Sequence, residues 1–114
     1  MFAFDADNGK VWTGRNGTWF NAPSTSNAGD PAAGTNDSGK TLTNTDRELM
    51  AFYVAGQNSS STNRLVHTNF GDGYFGTTAV SSGNSDGAGF GSFEYAVPSG
   101  FYAVCSKNIQ DYGG

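Results

Sequence analysis

Residues 2–20, FAFDADNGKVWTGRNGTWF, constrain the fold more than any other stretch of the chain. Asn8-Gly9 and Asn16-Gly17 each sit between runs that hold Phe2, Phe4, Val11, Trp12, Trp19 and Phe20. Asn-Gly is the strongest short-range hairpin signal. A type I′ turn needs positive φ at both central residues, which Asn tolerates and Gly reaches without steric cost. The pattern predicts three short antiparallel strands joined by two tight turns. It fixes local architecture and leaves function open.

The chain has 114 residues, a length that suits one domain, and charged residues make up only 14% of it. An average soluble protein carries roughly 25%. Glycine (17 residues) and small polar residues fill the gap, and aromatics reach 14%. Few charges, many small polar residues and many rings point to an extracellular or virion β-protein. The net charge is −4 and the basic residues are scattered, so no footprint for nucleic acid is visible. No apolar run approaches the roughly 20 residues of a membrane-spanning helix. No charged n-region followed by an apolar h-region is read at the N-terminus. Cys105 is the single cysteine and lies in an apolar strand pattern, so it reads as a buried free thiol.

Beyond Phe20, residues 21–45 show no sustained period and read as a long loop, with a turn at Gly29-Asp30-Pro31. In residues 47–54 helix and strand formers compete. The run is short and apolar on both faces, which favours a buried strand. Residues 55–63 read as a polar turn and residues 64–70 as a strand. Residues 71–91 form a second Gly/Ser-rich loop. Residues 92–97 alternate, with Phe93, Tyr95 and Val97 inward, and residues 101–106 are the last strand. No helix of ordinary length is expected. About seven short strands with turn signals between them point to an all-β antiparallel sandwich.

Several groups are candidates for chemistry. Asp5-Ala6-Asp7-Asn8-Gly9 has the look of a calcium loop, but its Gly is fifth rather than sixth and Asn16 stands where a bidentate Glu belongs. A hairpin turn explains the same residues better. Glycoside hydrolysis needs two carboxylates about 5–10 Å apart. Glu48 and Glu94 are the only glutamates, and Asp72 with Glu94 is the pair to consider. His67 with Cys105 is the one combination for nucleophilic catalysis. Neither pair is brought together by sequence spacing, so no catalytic residues, metal ligands or cofactor are assigned. Asn16, Asn36 and Asn58 match the glycosylation pattern, as chance allows in a chain rich in Asn, Ser and Thr.

Three blocks carry a resemblance. Phe4-Asp5-Ala6-Asp7, then Gly9-Lys10-Val11-Trp12, then Asn16-Gly17-Thr18-Trp19 resemble the middle of SPRY-like (B30.2-type) domains. Asn69-Phe70-Gly71 followed by Phe75, and Val97-Pro98-Ser99-Gly100-Phe101-Tyr102-Ala103, look like that family's closing strands in the same order and spacing. Gly29-Asp30-Pro31-Ala32-Ala33-Gly34-Thr35 is similar to a loop of the phage-encoded branch, which occurs in large virion and tail-associated proteins. The resemblance covers most of the chain.

It implies a concanavalin-like jelly-roll sandwich of two antiparallel sheets on a virion surface. The family normally carries several strands before the Phe-Asp-Ala-Asp block, whereas here the chain starts almost on it. The sandwich is therefore expected to be incomplete on its N-terminal side, a segment of a longer polypeptide or a domain completed by a neighbouring chain. Residues 107–114, ending in Gly-Gly, read as the start of a linker.

SPRY-like domains bind through loops at one edge. That places the binding candidates at Trp19, Asp30, Asp72, Tyr74 and Phe75, with Trp12, Phe70 and Phe101 assigned to core packing. The expected function is non-enzymatic: assembly, decoration or host-surface adhesion in a phage virion, in an oligomer with other virion chains. The alternative is a lectin-like domain that binds glycan.

Overall fold

The structure, a computed structural model, describes residues 1–21, 27–40, 42–43 and 66–112. The N-terminal ribbon forms as the turn chemistry dictates. Strands β1 (Phe2–Asp5), β2 (Lys10–Arg15) and β3 (Thr18–Trp19) make an antiparallel sheet in the order β1-β2-β3. The register pairs Ala3 with Trp12, Phe4 with Val11 and Gly14 with Trp19. Cross-strand partners share a face, so Ala3, Trp12, Gly14 and Trp19 lie on one side of the ribbon. That side is the core: Trp12 is 0% exposed and Ala3 is buried beside it. Phe101 meets the Trp12 ring edge-on, with centroids 5.9 Å apart at 87°.

The two turns differ. Asn16 and Gly17 have φ of 51° and 79°, so the second is the two-residue I′ turn expected. In the first, Gly9 has φ of 65° and Asn8 is not in the positive-φ region, so residues 6–9 form a longer turn. The Asp5 carboxylate accepts both the Asn8 backbone N–H (3.0 Å) and its side-chain amide (2.7 Å), which holds Asn8 out of a I′ conformation. These bonds engage the carboxylate inside the turn, and the calcium-loop likeness dissolves into turn chemistry.

The loop after Phe20 is laced to β2. Ser38 N–H donates to the Val11 carbonyl, Leu42 N–H to Gly9, the Lys10 ammonium to Gly34, and the Trp12 indole to Thr35 at 2.9 Å. Within it Asp30 and Thr35 exchange backbone bonds around residues 31–34, and Asp30 accepts the Ala33 N–H. The turn predicted at Gly29-Asp30-Pro31 is present.

A second antiparallel sheet is the hairpin of β4 (Tyr74–Phe75) and β5 (Thr78–Ala79). It lies inside residues 71–91, which the sequence presents as loop. Gly76 opens its two-residue turn with φ of 65°, where the first central residue of a II′ turn needs it. The strands expected over residues 92–97 and 101–106 do not form as such. Phe93 makes only an isolated bridge with Asn84, and Tyr95, placed inward by alternation, is exposed. Residues 66–70 are also irregular, and Phe70, assigned to the core, is 54% exposed.

Helix α1 (Ser106–Tyr112) occupies the segment read as a polar exit. A Lys107–Asp111 ion pair on its surface and the stacking of Tyr112 on Tyr102, 4.0 Å between centroids, hold it in place. Cys105, just before it, is free and half-buried. The strand expected at residues 47–54 and the turn at 55–63 lie outside the described residues. The described chain is thus two small antiparallel sheets with one short helix.

Candidate functional site

The ribbon and the Asp30 turn together build a shallow groove of about 410 Å³. Trp19 and Tyr95 supply its rings, Asp30 its carboxylate, and Pro31, Val97 and Pro98 much of the apolar remainder. Two glycines set the rings in place. A Cβ on Gly14 would stand 3.1 Å from the Trp19 ring, and one on Gly17 would stand 3.2 Å from the Tyr95 ring. Each ring therefore lies against backbone that only glycine leaves bare, and both are anchored to the same β2–β3 hairpin.

Some polar atoms of the groove are engaged and others are not. Asp30 Oδ1 accepts the Ala33 N–H at 3.0 Å. Among the described residues neither the Trp19 indole N–H nor the Tyr95 hydroxyl has a hydrogen-bond partner, and none reaches Asp30 Oδ2. The Met1 ammonium at the groove donates to the Gly14 carbonyl at 2.7 Å, and its burial lowers its pKa.

Of the residues predicted to bind, the structure brings together Trp19 and Asp30. Asp72, Tyr74 and Phe75 lie apart from the groove, on and just before the β4–β5 hairpin. Tyr74 and Phe75 are exposed there, and Asp72 accepts the Tyr74 N–H in a weak local bond of 3.4 Å. Tyr95 was missed as a site residue. Its alternation with Phe93 and Val97 resembles an inward strand face, and only Pro98 just beyond it hints that the strand fails.

Two further carboxylates, Glu94 and Asp86, do structural work. Glu94 accepts the Ser81 hydroxyl and, at 2.6 Å, the Ser81 N–H; these bonds hold its carboxyl below the usual range. Asp86 is buried at 6% exposure. Its Oδ1 accepts the N–H groups of Ala88 and Phe90, and its Oδ2 accepts the Ala103 N–H and the Asn108 amide at 2.7–2.8 Å. Burial pushes this carboxyl up, but the four donors outweigh it and the net shift is downward. Asn108 also donates to the Ala103 carbonyl, while its Oδ1 is buried with no partner. His67 packs its ring over Gly76, where a Cβ would come within 2.5 Å of it. No cluster of three metal-ligating side chains occurs among the described residues.

Comparison with protein-family models, with curated proteins and with solved structures found no match.

Proposed function

We propose that this chain is a non-enzymatic assembly and recognition module of a phage virion, built as a concanavalin-like sandwich that neighbouring chains help to close. The observation that carries the assembly reading is the apolar surface left exposed among the described residues. Ala3, Trp12, Pro31 and Ala103 are buried among the described residues, and of these only Trp12 is both large and fully enclosed. Phe2, Tyr74, Phe75, Tyr102, Val104, Ile109 and Tyr112 remain exposed. Exposed apolar side chains of this kind are characteristic of chains that pack against others.

The virion setting is supported by the resemblance of the ribbon and the Asp30 loop to the phage-encoded SPRY-like branch. The non-enzymatic part is supported by the contacts that three of the candidate catalytic groups make. Glu94 is bonded to Ser81, Asp72 to its own turn, and His67 lies on Gly76. Light scattering of the purified chain over a range of concentrations tests the reading. A mass that is a multiple of the protomer is expected; a monomer at every concentration would refute the assembly role.

A further inference from the structure

We propose that the groove between Trp19 and Tyr95 binds a neutral pyranose ring of a surface glycan. The proposal rests on the recognition half of the reading above and names its ligand class. A pyranose has an apolar C–H face and a rim of hydroxyls, each both donor and acceptor. The groove offers the complement to both. Two aromatic rings provide faces for the C–H side. The Trp19 indole is a donor, the Tyr95 hydroxyl donates and accepts, and Asp30 Oδ2 accepts. None of the three atoms has a partner among the described residues, while Asp30 Oδ1 is already held by Ala33.

The Trp19 ring packs against Gly14 and the Tyr95 ring against Gly17, so both are partly seated before a ligand binds. The volume, about 410 Å³, lies near the low end of small-ligand sites and suits a mono- or disaccharide unit.

The same chemistry rejects competitors. The Asp30 carboxylate and a net charge of −4 oppose uronic and other acidic sugars, and the Met1 ammonium at the groove is committed to the Gly14 carbonyl. A proline-rich peptide would also favour aromatic walls. Its prolines carry no N–H, however, so the residues that pack on the rings cannot themselves supply a donor to the Asp30 carboxylate. A sugar hydroxyl supplies that donor.

The test uses proton–nitrogen NMR of the full chain, titrated with maltotriose, triacetylchitotriose and galactotriose. Trigalacturonate and a PxxP peptide are added separately. The Trp12 indole is an internal control, because it is buried and bonded to Thr35. At least one neutral trisaccharide is expected to move the Trp19 indole signal and leave Trp12 unmoved. Tyr95→Ala, at an exposed position that should not unfold the chain, is expected to weaken that binding about tenfold or more. Asp30→Asn keeps an oxygen for the Ala33 N–H and is expected to weaken it about threefold.

The proposal is overturned if no neutral trisaccharide moves Trp19, if only the peptide or trigalacturonate does, or if Tyr95→Ala binds as well as the parent. Light scattering on the same samples separates the two ideas. An intact oligomer that ignores sugar removes the site alone, whereas a monomer removes the assembly reading whatever the sugar does.

Discussion

Asp86 is the residue on which the C-terminal half turns. A buried carboxylate is costly unless donors surround it, and here four N–H groups from Ala88, Phe90, Ala103 and Asn108 do so. The fold therefore favours the charged form, and the folded-state pKa lies below the ordinary value despite burial. The sign follows directly. The stabilisation is fully present above the unfolded pKa of about 3.9 and is lost as pH falls through the lower folded-state pKa. Asp86→Asn turns two acceptor sites toward donors they cannot satisfy. It is expected to cost about 2–3 kcal/mol at neutral pH. The gap between parent and variant in urea titrations should shrink as pH drops below about 4. An equal gap at neutral and acid pH would mean that the charge of Asp86 is not what the fold uses.

The elements follow a rule that hydrophobic alternation does not carry. The ribbon was legible because its signals are local: Asn16-Gly17 dictates its own φ values, and the strands follow from it. The first turn was legible as a turn but not in its form, since the Asp5–Asn8 bonds compete with the I′ geometry. Residues 92–106 alternate well enough to look like two strands, yet side chains take over the ladder. The Asn84 amide donates to the carbonyls of Phe93 and Glu94, and the Asn69 amide to Ser92. Asp86 and Asn108 take both backbone groups of Ala103. Once a side chain holds those groups, no neighbouring strand is needed.

The site divides the same way. Trp19 and Asp30 stand in segments whose turns can be read locally. Tyr95 reaches them only because distant Gly17 leaves room for its ring. Asn84→Ala tests whether that side chain holds the segment. It should cost about 1–2 kcal/mol and speed amide exchange at Phe93, while leaving exchange in β1 and β2 unchanged. Unaltered protection at Phe93 would show that the Asn84 amide does not hold this segment.

At the scale of the whole molecule, the described residues centre their core on one fully enclosed side chain, Trp12. Exposed rings on the β4–β5 hairpin and along α1 are the surface that association would bury. If neighbouring chains complete the fold, stability must depend on how many of them are present, because whatever binds only the folded state stabilises it by mass action. The deciding measurement is the thermal unfolding midpoint at two protein concentrations about a hundredfold apart. The account predicts a midpoint that rises by several degrees at the higher concentration. A sharp, reversible transition at the same temperature in both samples would contradict it, because the chain would then be closing its core alone.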